Sequence, residues 1–329
     1  MKISLKYVFA VTSITVACIY VDSAIAQETP SAYPAKPVKI VIPLGPGNSV
    51  EIVTRLVAEK LTHAFGQPFV IEAQPGAAGQ IGAERVARAT ADGYTLLAAN
   101  DGIMTMLPNL QKSVRYAPMR DFAPITQMVG IPFVLIAHPS VPAKTTRELV
   151  QLAKAHPGKL EFSSGGNGSA QHLAMELFMR QTGTTLVHVP YKGAPQAAMD
   201  VVAGQIPVAF AGVPIVAALI KQRRLHALGL AGEKRLPLLA ETPTLAEQGT
   251  PLTFEAWAGL FAPSATPAEI IHKLNQEAVK ALKYADVQAR IADFGFVNYG
   301  NTPQRFAETI KADYARMAQI IKAAGVTLQ

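Results

Sequence analysis

An α/β protein of two lobes, hinged by crossing strands over a ligand cleft, is what this sequence predicts, on three observations. Short apolar runs that stop at Pro or at a glycine loop alternate with stretches of helical apolar period along most of the chain. Two apolar segments, Ile125 to Ala137 and Phe254 to Phe261, fall between those series, where a chain passing from one lobe to the other would run. From Pro267 to Ala324 the pattern is helical almost throughout, as a return to the first lobe. The expected organisation is a signal peptide at 1–26, a first lobe from 27–131 and 256–329, and a second lobe from 132–255. At 329 residues and 50% hydrophobic composition, the chain can fill two cores.

Taken in order, Val38 to Ile42 reads as a strand that stops at Pro43, and the loop Leu44-Gly45-Pro46-Gly47-Asn48 follows. Ser49 is the expected cap of a helix that carries Ile52, Val53, Leu56, Val57 and Leu61 on one face and ends at Gly66. Phe69 to Ile71 is the next strand, which makes a βαβ-like opening and a parallel sheet. Pro75 to Gly79 is a second glycine loop before a helix at Ile81 to Ala89. Thr95 to Ala99 is a strand that delivers Asn100, Asp101 and Gly102 at its C-terminal end, the edge where open α/β sheets place ligand contacts. Leu107 to Pro124 reads as irregular, with short helical turns.

The second series begins near Phe133. A helix from about Thr146 to Ala155, a turn at Pro157-Gly158 and a strand ending at Phe162 lead into Ser163-Ser164-Gly165-Gly166-Asn167-Gly168-Ser169. The helix after Ser169 has Leu173, Ala174, Leu177 and Phe178 on one face. Leu186 to Val189, Val208 to Phe210 and Leu225 to Leu230 are the remaining strands, the first ending in Pro190-Tyr191-Lys192-Gly193 and the second in Ala211-Gly212. Pro195 suits the first helical position of the helix between them, and Gly204 its end.

Lys2 and Lys6, the uncharged run Tyr7 to Val21 and the small-x-small triplet Ala24-Ile25-Ala26 have the plan of a secretory signal cleaved after Ala26. Cys18, the one cysteine, lies inside it; acylation there is disfavoured by Thr15 three positions before. Without the signal no cysteine remains, so stability must come from packing rather than disulfides, and the expected compartment is a bacterial periplasm. The net charge of +7 becomes +6 when Lys2, Lys6 and Asp22 leave. Basic residues are scattered and not interleaved with aromatics, which argues against nucleic acid and for mild attraction of anions.

Three of the loops combine Gly with Ser or Asn at strand ends: Gly45 to Ser49, Asn100 to Gly102 and Ser163 to Ser169. Small hydroxyls, unshielded backbone N–H groups and the partial positive charge of a helix N-terminus favour an anion there. Gly45, Gly47, Asn48, Ser49, Asn100, Asp101, Ser164, Gly166, Asn167 and Ser169 are the candidate contacts, with His172 in the following helix and Tyr191 as an aromatic face. A glycine loop is also what any tight strand-to-helix turn needs; the binding reading rests on three of them sharing one composition.

Enzyme motifs fail. Gly45-Pro46-Gly47 lacks the spacing and the terminal Lys of a phosphate loop and the third glycine of a dinucleotide fingerprint. The seven histidines are dispersed and pair with no mature cysteine, so neither a metal nor a cofactor is expected. An exported hydrolase built on Ser169 and His172 is the rival, but Gln171 stands where a nucleophile elbow needs glycine. No catalytic residue is expected.

Tyr33-Pro34, Pro43 to Ser49, Gln67-Pro68, Pro75 to Gly79, Asp92-Gly93-Tyr94, Asp121-Phe122-Ala123-Pro124, Pro139 to Pro142, Ser163 to Ser169, Val187 to Gly193, Pro243-Thr244 and Ala262-Pro263 together resemble the Bug-type solute receptors of tripartite tricarboxylate transporters. The resemblance implies a two-lobed type II periplasmic binding protein fold that closes on a small organic carboxylate and delivers it to integral membrane transporter subunits, as a monomer. A sensor partner would share the same ligand site. It also implies that the loops Pro43 to Ser49 and Ser163 to Ser169 grip a carboxylate through backbone N–H groups and Ser hydroxyls, with further contacts near Asn100 and at Ala211. The acidic residue such receptors often carry after the strand ending at Phe210 is replaced by Ala211-Gly212, which argues against a cationic group on the ligand. Asn48 adds an amide that could donate to a carboxylate.

Overall fold

The computed structural model describes residues 33–325; the expected signal peptide, Cys18 and the cleavage point lie outside the described residues. Three parallel strands open the chain. β1 (Val38–Ile42) pairs with β2 (Phe69–Ala73) on one side and β3 (Thr95–Asn100) on the other. The crossover between β1 and β2 is α1 (Ser49–Phe65), whose Val53, Val57 and Leu61 are buried, and α2 (Gln80–Ala87) stands between β2 and β3. The cap of α1 is Asn48, one residue before the expected Ser49: its Oδ1 accepts the Glu51 N–H at 3.0 Å. Ser49 is thereby released from capping.

The first crossing segment is a 16-residue strand, β4 (Phe122–Ala137), which starts three residues before the apolar run that began at Ile125. Two short helical turns, α3 (Leu107–Leu110) and α4 (Pro118–Asp121), precede it. Between α3 and β3, Gly102–Met106 forms a π-helical turn that the sequence did not announce. β4 changes partners at Pro132, which has no N–H to give a ladder. Up to there it pairs with β9 (Glu255–Pro263), and from Phe133 onward with β7 (Val208–Gly212) and β8 (His226–Leu230).

Beyond β7 lie β5 (Glu161–Ser164) and β6 (Val187–Pro190), parallel to it and to each other, so a second α/β series mirrors the first. Its helices are α5 (Thr146–Ala155), α6 (Ala170–Thr182), α7 (Ala194–Val202) and α8 (Val213–Lys221). α9 (Ala268–Ala281), α10 (Ala285–Phe294) and α11 (Pro303–Ala324) close the chain, and the two-residue strand β10 (Val297–Asn298) pairs with β4. The described sheet runs β2-β1-β3-β9-β4-β7-β5-β6, with β8 and β10 added on β4.

Each half has its own core, as expected of two lobes. Val41, Leu97, Trp257, Phe261 and Phe306 fill the first; Val134, Ile136, Val213 and Val216 belong to the second. In the first core the Phe306 ring of α11 lies edge-on to Trp257 at 5.1 Å and over Gly259 of β9, and Trp257 Nε1 donates to Asp313 at 2.7 Å. Gly259 is needed because a Cβ there would strike the fully buried Phe306 ring and stand 3.1 Å from Thr126 O. Gly259→Ala is therefore expected to lower unfolding free energy by about 1–3 kcal/mol, the cost of overpacking. Urea denaturation checks it; an unchanged midpoint would mean that α11 does not clamp the crossing strand.

Candidate functional site

Parallel β–α units all point their strand ends, and hence the N-termini of the following helices, the same way. Both series direct these ends at one cleft of about 890 Å³. From the first come Pro43 to Pro46, Asn48 and Ser49, then Pro75 to Gly79, then Asn100, Gly102 and Ile103; from the second come Gly165 to Gln171, Tyr191 to Gln196 and Gly212. The starts of α1, α6, α7 and α8 therefore share one void. α1 and α6 are capped by their own Asn48 and Ser169 side chains, whereas α7 and α8 start at Gly193 and Gly212 with no side-chain cap.

Among the described residues no Asp or Glu lines the cleft, and Lys192, exposed at its mouth, is the one charged residue that does. The deep wall is apolar: Ile103, Leu107, Leu110, Ile131 and Phe133 are each at least nine-tenths buried and still border the cavity. Ser49 is the hydroxyl among these buried positions, its Oγ 3.8 Å from where a Cβ on Gly212 would stand. Ala77 and Ala78, on the cleft, hold φ of 45° and 53°, a left-handed conformation that costs a non-glycine residue roughly 1–2 kcal/mol each.

Of the expected contacts, Gly45, Asn48, Ser49, Asn100, Gly166, Asn167, Ser169 and Tyr191 border the cleft. Five do not. Gly47 gives its N–H to Glu51 at 2.9 Å, outside the lining. Asp101 is fully buried; burial, with Asp313 nearby adding to it, pushes its carboxyl well above the usual range. Ser164 has no exposed surface and its Oγ serves the loop itself, 3.1 Å from Gly166 N, 3.0 Å from Gly166 O and 2.6 Å from His188 Nε2. Ala211 points into the second core, and strand alternation leaves Gly212 as the cleft residue instead.

His172 is the fifth. Its Nδ1 accepts the Gly168 N–H at 3.0 Å, its Nε2 faces Glu176 at 3.4 Å, and its ring stacks on His188 at 3.9 Å. It holds the loop from behind and is no base for Ser169, whose Oγ accepts from the His172 backbone N–H. Two cleft side chains are also spent locally. Asn48 Nδ2 donates to Gly45 O, so its amide is not directed at a ligand, and Tyr191 gives its hydroxyl to Asp200 at 2.6 Å, which helps push the phenol up to about 12.

Sequence reading missed the Pro75 to Gly79 loop as a contact, although it has the same strand–glycine–helix plan, and missed the Gly193 to Gln196 turn. It also missed the apolar wall, because Ile103, Leu107, Ile131 and Phe133 look like ordinary core residues in a sequence.

The sequence matches the family described as tripartite tricarboxylate transporter family receptor over residues 53–326. The chain belongs to this family. The receptor is 30% identical to the protein BugT of Bordetella pertussis over 322 residues, 97% of this chain and 98% of that one. Its fold superposes on the R. palustris protein Rpa4515 solved with adipate, at a TM-score of 0.86 and 30% identity, covering 90% of this chain and 99% of that one. MatC of Rhodopseudomonas palustris, solved with bound malate, gives 0.82 at 29% identity, covering 88% and 100%. The family description names a receptor, not an enzyme, and the two-lobed binding-protein architecture of these relatives is the one the sequence predicted.

The stacked histidines behind the loop give the receptor a pH dependence. Burial and the neighbouring His172 lower His188 from its ordinary value to about 4. The unfolded chain takes up this proton near pH 6.5 and the folded one only near 4, so stability falls as pH drops through that window. His188→Gln should flatten the dependence of Tm on pH between 6.5 and 4; parallel curves for the two proteins would contradict the assignment.

Proposed function

We propose that the chain is a periplasmic receptor that captures a small organic carboxylate, a di- or tricarboxylate or an aromatic acid, and presents it to integral membrane subunits of a tripartite tricarboxylate transporter. The observation that carries this reading is the cleft: four helix N-termini meet in a cavity that no carboxylate among the described residues lines. Such a void is positive wherever it is not filled, and a ligand carboxylate accepts the N–H groups that no side chain caps. The ligands of adipate-bound Rpa4515 and malate-bound MatC are acids, which supports the same chemistry here. Among the described residues no helix is long and apolar enough to cross a membrane, in keeping with a receptor that meets its transporter from outside the bilayer.

In this reading the mature chain begins after Ala26, acts as a monomer, and closes residues 132–255 against 27–131 and 256–329 about the crossings at Pro132-Phe133 and Phe254-Glu255. Ser49, Asn167 and Ser169 supply side-chain hydrogen bonds, and Gly45 and the turn at Gly193 supply backbone. The hydrolase alternative loses its base, since His172 Nδ1 already takes the Gly168 N–H.

A thermal-shift screen of the mature protein against organic acids, amino acids and sugars tests the proposal. An acid present at 100 times its Kd should add about 2.7 kcal/mol to stability. Stabilisation by sugars or amino acids in preference to organic acids, or turnover of simple esters lost in Ser169→Ala, would count against it.

A further inference from the structure

Resting on the carboxylate reading, we propose that the Ser49 hydroxyl and the start of α8 form a second, inner carboxylate site, and that the ligand is a linear dicarboxylate whose far end sits there. α8 is a nine-residue helix that starts at Gly212, which has no side chain to cap it. Pro214 in its first turn has no N–H and fixes the local backbone, so Val213 and Ile215 carry the donors that no helical carbonyl takes. Gly212 and Ile215 both border the cleft.

Beside this helix start lies an idle hydroxyl. Ser49 is only 8% exposed and lines the cleft, yet with Asn48 capping α1 its Oγ makes no hydrogen bond among the described residues. It stands 3.8 Å from where a Cβ on Gly212 would be, next to the free end of α8. A buried hydroxyl left unpaired costs free energy that an acceptor placed between Ser49 and α8 recovers. Ile131 and Phe133 flank the spot: the Ile131 Cγ2 is 3.2 Å from the same Cβ position, and Phe133 pairs with Gly212 in the ladder. In these apolar surroundings fixed N–H dipoles act on an anion more strongly than in water, so the helix start compensates a carboxylate there without a cation.

The other carboxylate of the ligand takes the glycine loops. There Gly165 lies against the start of α7, where a Cβ would stand 3.0 Å from Ala194 N. Two glycines thus keep two helix starts open, Gly165 that of α7 and Gly212 that of α8. The donors of the inner site come from both halves of the chain, Ser49 from the first series and α8 from the second, so an anion held between them ties the halves together.

Isothermal titration of the wild-type receptor with butanedioate, hexanedioate and octanedioate, each beside the monocarboxylate of the same carbon number, tests the inference. At the best-fitting length the diacid should bind about tenfold tighter or more than its monoacid, the ratio expected from hydrogen bonds to a charged group. Ser49→Ala should reduce that preference severalfold, and so should Gly212→Ala, whose methyl would enter the site. A monoacid that binds as tightly as its diacid at every length overturns the inner site while leaving the carboxylate receptor standing. A diacid preference unchanged in both variants overturns its assignment to Ser49 and α8. If none of these acids binds, the inference fails, and the thermal-shift screen of organic acids decides separately whether the receptor reading fails with it. If Ser49→Ala does not fold, the wild-type series and Gly212→Ala decide.

Discussion

Helix N-termini aimed at a common void are the constraint on which the rest of this structure depends. Each carries roughly half a positive charge and N–H groups without intrahelical partners. Parallel β–α units force these ends to one side of the sheet, so α1, α6, α7 and α8 meet at the cleft as a consequence of topology, not of any single residue. A native carboxylate placed there would fill the site permanently. Among the described residues the lining has none, and the acids nearest by sequence are turned away: Glu51 is held by Arg55 and the Gly47 N–H, which keep its carboxyl below the ordinary range, and Asp101 is sealed behind the wall. The cleft is left positive and unneutralised.

Such a site works only if its loops are stiff, because a glycine-rich turn that had to order on binding would lose much of the gain to entropy. Stiffness comes from behind. On one side the hydrogen bond from Gly168 to His172, the stacked His172–His188–Phe162 rings and the Ser164 contacts fix Gly165 to Ser169. On the other, Asn48 ties the first loop to itself and to α1 at once. The residues that shape the site are thus largely not those that touch its contents. The crossing strands complete the design: β4 and β9 pair over the first half and separate at Pro132 and Glu255, where the cleft residues Ile131, Phe133 and Ala256 sit.

The two α/β series, both crossing strands and the C-terminal helices were legible in the sequence because strand–glycine–helix punctuation and apolar period are local signals. The helical stretch that ends at Ala324 and the Gly66 cap fall where that pattern put them. What sequence reasoning could not resolve was direction. Ser164, Asp101 and His172 have the chemistry of ligand contacts, and only the packing of α6 and α11 shows them turned inward. The inverse error concerns Ile103, Leu107, Ile131 and Phe133, whose apolar character fits a core and a ligand wall equally well. Ala211 and Gly212 differ by one residue and therefore by a face of the strand, a distinction that register fixes and composition does not.

The central claim is that the carboxylate of an organic acid sits on these converging backbone N–H groups. A crystal structure of the receptor grown with its tightest-binding acid tests it most directly. The account predicts carboxylate oxygens within hydrogen-bond distance of backbone N–H groups at the starts of the cleft helices and of the Ser49 or Ser169 hydroxyl, with the acid's body against Ile131 and Phe133. A carboxylate held instead by Lys192 at the mouth, with the glycine loops and helix starts untouched, would contradict it.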